Sequence, residues 1–190
     1  MNKKKIIILG FAFILLMVAA TYMYSGLKNT VPSEAQQIVK EPAAEGKEPE
    51  KMKAPHFTAY DRDGKKVRFA EFEGKPIVLN FWAGWCGPCR MEMPDFNEKY
   101  LEKGKEINFL MVNMTDGSRE TVEKAHKLVS EKGYSFPVFY DKDMDAARTY
   151  GVSSLPTTYF IDREGYITAR AMGAIDGETL QRGIEMIISY

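Results

Sequence analysis

The sequence predicts an α/β domain in which helices cover both faces of a central, mixed β-sheet. Stretches of almost uninterrupted apolar residues, typical of strands buried on both faces, alternate with stretches whose apolar residues recur at helical spacing. The chain has 190 residues, enough for one domain of ordinary size. Its 26 basic and 26 acidic residues balance, so the sequence lacks the basic excess that favours nucleic-acid binding.

The elements are predicted in the order β-hairpin, βαβαβα, β-hairpin and helix. Residues 57–60 and 66–69 flank a turn sequence, Asp-Arg-Asp-Gly, and predict an N-terminal hairpin. The apolar stretch 77–83 predicts a strand, after which a helix begins near Gly87 or Pro88, since proline suits the first turn. The later strands are predicted at 107–114, 136–140, 157–162 and 166–172. The later helices are predicted from a cap at Ser118 to a point before Gly133, at 143–150, and after a cap at Asp176.

An uncharged apolar run follows three lysines near the N-terminus. Its most apolar part, Ile6–Tyr24, is about as long as the 20-residue helix that crosses a bilayer. We expect residues 1–27 to form an uncleaved signal anchor, a transmembrane helix that leaves the lysines in the cytoplasm and the rest of the chain outside. A cleaved secretory signal is the alternative, because Val18-Ala19-Ala20 offers a cleavage site.

The composition then divides the rest of the chain into two parts. Residues 28–53 are rich in charge and proline and have little to bury, which predicts a flexible charged linker. The predicted folded domain comprises residues 54–190.

Both cysteines of the chain lie in one motif, Trp85-Cys86-Gly87-Pro88-Cys89, between a predicted buried strand and a helix. Two cysteines at this spacing can close a disulfide without unwinding the helix. The helix dipole and the unpaired backbone amides at its start lower the pKa of the Cys86 thiol and favour the thiolate, which is the form that attacks disulfides. Cys89, deeper in the helix, is predicted to be more buried and to resolve the mixed disulfide.

The alternative for such a cysteine pair is half of a zinc site. Two further ligands would have to come from His56, His126 or carboxylates, and neither histidine has the spacing of a ligand. We therefore predict no metal at this motif.

Two motifs together resemble the thioredoxin superfamily, and within it the TlpA/ResA-like branch. The first is the cysteine motif with Pro94 after it, and the second is the segment Ser-Ser-Leu-Pro-Thr-Thr-Tyr at 153–159. The resemblance implies a thioredoxin-like fold, with an αβ segment inserted within residues 115–140. It also implies a cis peptide bond at Pro156 and a substrate that pairs with the backbone of Leu155 like an added strand.

The same resemblance implies the function. It indicates an extracytoplasmic thiol–disulfide oxidoreductase that works without a cofactor and binds substrate at Trp85, Gly87, Pro88, Leu155 and Pro156. Gly87-Pro88 resembles the reducing members, so we expect the chain to reduce disulfides of secreted or membrane proteins. Substrates of this family include apocytochrome c and methionine sulfoxide reductases, and a membrane thiol carrier of the CcdA or DsbD kind would supply the electrons.

One position departs from the thioredoxin pattern. Cytoplasmic thioredoxins have a buried aspartate in the strand before the cysteines, where this chain has Asn80. The branch often supplies an acid from the end of the next strand instead, and Asp116 falls at about that place. Asp116 either accepts the proton of Cys89 or only starts a turn or caps the helix near Ser118, and the sequence leaves these interpretations open.

Two rival functions share the fold family. A peroxiredoxin needs a hydroxyl residue three positions before its reactive cysteine, and this chain has Ala83 there. A copper-delivery module would use the cysteines with Met91 and Met93 as soft ligands, although such modules space their cysteines one residue further apart and add a histidine.

Overall fold

The computed structural model describes residues 52–188, together with Leu15, Met17 and the pair Ile38–Val39. The predicted signal anchor, residues 1–27, lies outside the described residues except for Leu15 and Met17, both of which are helical. Within the described part of the chain, no helix combines the length and the apolar character needed to cross a membrane.

Residues 35–190 form one compact unit around a mixed sheet, and eight strands of this sheet are described. The strands are β1 (Ile38–Val39), β2 (Thr58–Tyr60), β3 (Lys66–Arg68), β4 (Ile77–Trp82), β5 (Asn108–Asn113), β6 (Val138–Tyr140), β7 (Thr157–Ile161) and β8 (Ile167–Met172). The helices are α1 (Gly87–Lys103), α2 (Val122–Glu131), α3 (Asp145–Thr149) and α4 (Gly177–Ile188), with a 3-10 helix at Phe69–Phe72. The strand order is β1-β8-β7-β4-β5-β6-β2-β3, in which β4, β5 and β6 are parallel and the other neighbours antiparallel.

The central strand β4 is buried on both faces. Its side chains alternate between two cores, with Val78 and Trp82 in one and Leu79 and Phe81 in the other. Helices α1, α2 and α4 contribute to the first core, whereas α3 and the 3-10 helix contribute to the second. The predicted fold, with its N-terminal hairpin β2–β3 and its inserted segment α2–β6, is confirmed.

One helix begins later than predicted. The N-cap of α2 is Thr121, whose hydroxyl accepts a hydrogen bond from the backbone amide of Lys124 at 3.3 Å, rather than Ser118. Ser118 lies in a turn that is closed by the hydrogen bond from the Gly117 amide to the Glu120 carbonyl at 3.0 Å. The helix therefore starts only after this turn has ended.

Part of the predicted linker pairs with the sheet. Strand β1 lies within residues 28–53 and runs antiparallel to β8, and the carbonyl of Met52 accepts a hydrogen bond from the amide of Ile167 at 2.8 Å. Such pairing uses backbone groups, and the two apolar residues of β1 are too few to indicate a strand within a polar and charged segment. The remaining linker residues before Met52 lie outside the described part of the chain.

The topology fixes where a site can form. Because β4 and β7 are antiparallel, the end of β4 and the start of β7 lie at the same edge of the sheet. The loop from β4 to α1 contains both cysteines, and the segment before β7 contains Leu155 and Pro156. The two motifs that are distant in sequence are therefore brought together at this edge.

Candidate active site

The two cysteines form a disulfide at the start of α1. The sulfur atoms are 2.07 Å apart and the two Cα atoms 5.3 Å apart. Cys86 is the N-cap residue, and its Sγ accepts a hydrogen bond from the backbone amide of Cys89 at 3.2 Å. Cys86 retains 4% of its surface exposed and Cys89 none, which confirms the predicted order of burial.

The predicted substrate-binding residues lie in the cysteine loop and in the segment before β7, at the same edge of the sheet. Trp85 is 41% exposed, and Pro88 is exposed as well. The peptide bond between Leu155 and Pro156 is cis, as predicted, and the Pro156 carbonyl accepts a hydrogen bond from Gly173 at 2.9 Å. Within residues 52–188 the backbone amide and carbonyl of Leu155 make no hydrogen bond, so both are available to an extended chain.

Glu92 belongs to a buried polar cluster that also contains Asn80 and Thr158. Glu92 is one helical turn after Cys89 and only 2% exposed. Its Oε1 accepts a hydrogen bond from Asn80 Nδ2 at 2.8 Å, and its Oε2 accepts one from the Ile175 amide at 3.1 Å. The same Asn80 amide donates to Thr158 Oγ1 at 3.0 Å, while Asn80 Oδ1 is buried without a partner.

The environment of Glu92 changes its acidity. Burial raises the pKa of this carboxyl to about 8, although the hydrogen bonds from Ile175 and Asn80 lower it. A carboxyl with a pKa near the working pH can store and return a proton, and Glu92 is adjacent to Cys89 on the buried face of α1. Sequence analysis missed this residue, but the spacing of Cys89, Glu92 and Phe96 would have placed all three on one helical face.

Asp116 lies in a different environment. It is exposed, and its Oδ1 accepts hydrogen bonds from the backbone amides of Ser118 at 2.8 Å and Glu120 at 2.9 Å. These backbone hydrogen bonds hold the pKa of the Asp116 carboxyl below its usual range. The turn-forming interpretation is confirmed, whereas the role of Asp116 as a proton acceptor stays a prediction.

This turn, residues 116–120, contacts the cysteine loop through two side chains, and we call it the Asp116 turn. Glu120 is buried, and its Oε1 accepts hydrogen bonds from the Gly84 amide and from Asn113 Nδ2, both at 2.9 Å. The guanidinium of Arg119 lies 3.7 Å from the ring centroid of Trp85. The sequence indicated neither contact, because both join loops that are distant along the chain.

The two methionines considered as copper ligands are not brought together. Met91 is 70% exposed on the surface of α1, whereas Met93 is 1% exposed in the core. Among the described residues, no group of three or more His, Cys, Asp and Glu side chains is arranged to hold a metal ion.

Comparison with known proteins identifies the family. A profile of the AhpC/TSA family matches residues 51–170. The thiol-disulfide oxidoreductase ResA of Bacillus thuringiensis subsp. konkukian (strain 97-27) is 39% identical over 137 residues, covering 70% of this chain and 76% of that protein.

Solved structures agree with this comparison. A DsbF homologue from Corynebacterium diphtheriae has a TM-score of 0.65 and 25% identity, covering 78% of this chain and 99% of its own. The exposed lipoprotein thioredoxin Etrx1 of Streptococcus pneumoniae strain TIGR4 has a TM-score of 0.57 and 33% identity, covering 67% of this chain and 96% of its own. The chain therefore belongs to the AhpC/TSA family and, within it, to the thiol–disulfide oxidoreductases of the ResA type.

Proposed function

We propose that this chain reduces disulfides of other proteins outside the cytoplasm, with Cys86 as the attacking thiol and Cys89 as the resolving thiol. The observation that carries the proposal is the difference in exposure between the two residues, 4% for Cys86 and 0% for Cys89, beside the exposed Trp85. In the reduced protein, the start of α1 and the amide that Cys89 donates to Cys86 Sγ favour a thiolate at Cys86.

The reaction transfers two electrons in two exchanges. The Cys86 thiolate attacks one sulfur of the substrate disulfide, forms a mixed disulfide and releases the other substrate sulfur as a thiolate. Cys89 then loses its proton and attacks Cys86, which forms the Cys86–Cys89 disulfide and releases the second substrate thiolate. The chain is oxidised and the substrate is reduced by the same two electrons, and the substrate thiolates take protons from solvent.

Glu92 is the proposed acceptor of the proton that Cys89 loses. Its carboxylate is within a helical turn of Cys89 and shielded from water, and after the transfer it is the protonated acid that burial favours. In the reverse step, when an electron donor opens the Cys86–Cys89 disulfide, Glu92 returns the proton to the Cys89 thiolate. Asp116 is the competing candidate, but it is exposed and its pKa is lowered, so that it holds a proton weakly.

The substrate is proposed to bind as an extended segment across the cis-proline loop. The unpaired backbone of Leu155 offers one donor and one acceptor, and Pro156 next to it is buried. Trp85, Gly87 and Pro88 form the other side of this binding site. This arrangement favours a flexible protein segment around a disulfide over a small compact ligand.

The location and partners are proposed from the sequence. The lysines and apolar run at the N-terminus support a membrane anchor with the domain outside, and Etrx1 is described as an exposed lipoprotein. Substrates of the apocytochrome c or methionine sulfoxide reductase type and a membrane donor of the CcdA or DsbD type suit that location.

Trapping of the mixed disulfide tests the roles of the cysteines. Cys89→Ser stops the reaction after the first exchange, so a covalent adduct with a disulfide substrate, reversible by added thiol, is expected on a non-reducing gel. Cys86→Ser is the matched control and should give no adduct. Equal adducts from both variants, or none from Cys89→Ser, would exclude the proposed cycle.

A labelling experiment in cells that produce the full chain tests the location. A membrane-impermeant maleimide should react with Cys86 of the Cys89→Ser variant in intact cells. Labelling that appears only after the cells are lysed would place the domain on the cytoplasmic side and contradict the proposal.

A further inference from the structure

An exposed arginine, Arg119, lies beside the cysteine loop. The guanidinium of Arg119 stacks on Trp85, the residue that precedes Cys86. Arg119 is exposed, and within residues 52–188 its side chain makes neither a hydrogen bond nor an ion pair. Arg182, by contrast, pairs with Glu178 at 2.6 Å. The five N–H donors of Arg119 are therefore available to a ligand at the rim of the active site.

The backbone that carries Arg119 is fixed from several sides. Asp116 accepts two backbone amides of the turn, and Lys124 Nζ donates to the carbonyls of Ser118 at 3.1 Å and Arg119 at 3.0 Å. Glu120, the next residue in the chain, is buried, and its side chain accepts a hydrogen bond from the Gly84 amide. Arg119 is thus presented on a preorganised turn, which reduces the entropy lost when it binds a partner.

The nearby acids do not form an ion pair with this guanidinium. The Asp116 carboxylate accepts backbone amides, and the Glu120 carboxylate accepts the Gly84 amide and the Asn113 side chain. A guanidinium stacked on an aromatic ring contacts the ring through the face of its plane. Its N–H groups point outward in that plane and remain free to donate to a carboxylate in a bidentate manner.

We propose that Arg119 is a specificity-determining residue that binds a carboxylate of the substrate protein, so that the chain prefers disulfides with an acidic side chain close to the cysteine that Cys86 attacks. This inference rests on the proposed function, because only a disulfide that approaches Cys86 comes next to Trp85 and Arg119. It assigns the Asp116 turn a role in recognition: the turn holds Arg119 against the indole ring.

Two synthetic peptides test the preference. Each contains one disulfide, and they differ only in having Asp or Asn beside the first cysteine. The second-order rate constants for reduction by the reduced full chain are measured by stopped flow at low ionic strength. The Asp-to-Asn rate ratio is expected to be about fivefold higher for the wild type than for Arg119→Gln, the upper end for an exposed ion pair. Because both proteins are tested with the same two peptides, any intrinsic effect of Asp on the reactivity of the disulfide cancels.

Two further variants make the test specific. Arg163→Gln removes an exposed arginine from the turn between β7 and β8, at the opposite edge of the sheet, and should retain the wild-type ratio. Arg119→Lys keeps the charge but not the planar fork, so its Asp-to-Asn rate ratio should lie between those of the wild type and Arg119→Gln. Full retention in Arg119→Lys would mean that a positive charge at this position is sufficient, and would overturn the role of the planar guanidinium.

The outcomes separate this inference from the function on which it rests. Equal Asp-to-Asn ratios in the wild type and Arg119→Gln, with both peptides reduced, would overturn the role of Arg119 and leave the oxidoreductase cycle intact. A wild type that reduces neither peptide would instead overturn the proposed function. In 1 M salt, where the Debye length is about 3 Å, the difference between the two proteins should shrink.

Discussion

Two carboxylates near the cysteine loop both accept hydrogen bonds, yet their pKa values shift in opposite directions. Glu92 accepts one bond from Asn80 and one from Ile175, and Asp116 accepts two from backbone amides. The pKa of Glu92 is raised to about 8, whereas that of Asp116 is lowered. Glu92 is buried and Asp116 is exposed, so burial decides the direction and two hydrogen bonds do not outweigh it.

The difference separates two tasks that an acid can perform near this disulfide. A buried carboxyl with a pKa of about 8 is present both as the acid and as a fraction of carboxylate near neutral pH, so it can exchange a proton with a neighbouring sulfur. An exposed, ionised carboxylate that binds backbone amides keeps a turn in one conformation. We therefore propose that Glu92 transfers the proton and that Asp116 organises the turn.

The largest expected effect is on the rate at which Cys89 resolves the mixed disulfide. Glu92→Gln preserves the shape of the side chain but removes the proton acceptor. The rate should fall about a hundredfold near neutral pH, within the range that a positioned acid–base group contributes. Stopped-flow measurement with a peptide disulfide gives this rate, and Asp116→Asn is the comparison.

The comparison variant decides between the two acids. If Glu92 accepts the proton, Asp116→Asn should change the rate by no more than about twofold, since Asp116 only shapes an exposed turn. A hundredfold loss in Asp116→Asn together with a normal rate in Glu92→Gln would reverse the assignment and make Asp116 the proton acceptor.

The second effect concerns how the stability of the oxidised protein depends on pH. The folded-state pKa of Glu92 is above its ordinary value of 4.5, so the protonated acid is favoured by folding. Its contribution is complete below pH 4.5 and is lost as the pH rises through about 8. A shift of this size corresponds to a change in the free energy of unfolding on the order of 5 kcal/mol between the two pH limits.

Denaturant unfolding of the wild type and Glu92→Gln at several pH values measures this loss. The variant should become more stable than the wild type as the pH increases, because its neutral amide has no proton to lose. Glu98→Gln, which changes an exposed acid on the same helix, should follow the wild type. Parallel curves for the wild type and Glu92→Gln would show that Glu92 is not held protonated.

Much of the architecture could be predicted because its determinants are local. Strand β4 is apolar at nearly every position, so its burial on both faces is visible in the sequence itself. The cysteine pair is recognisable since it lies between that strand and a helix start. The cis bond before Pro156 followed from resemblance, as no composition or spacing near it distinguishes cis from trans.

The features that could not be predicted depend on partners far along the chain. Strand β1 pairs through its backbone, which a charged linker composition conceals. Glutamate is usually exposed, and the burial of Glu92 depends on a backbone amide, that of Ile175, 83 residues away. The contact of Arg119 with Trp85 likewise joins two loops that only the sheet topology brings together.

The smallest expected effect is on stability at Asp116. Its folded-state pKa is lowered, so its contribution is present above the ordinary value of 3.8 and is lost as the pH falls through the lowered value. Asp116→Asn should therefore lower the melting temperature slightly at neutral pH, and the two proteins should converge in acid. Because the asparagine carbonyl oxygen can still accept the amides of Ser118 and Glu120, the turn should persist. A difference that grows as the pH falls would mean that the charge of Asp116 opposes the turn, and the contrast with Glu92 would then lose its physical basis.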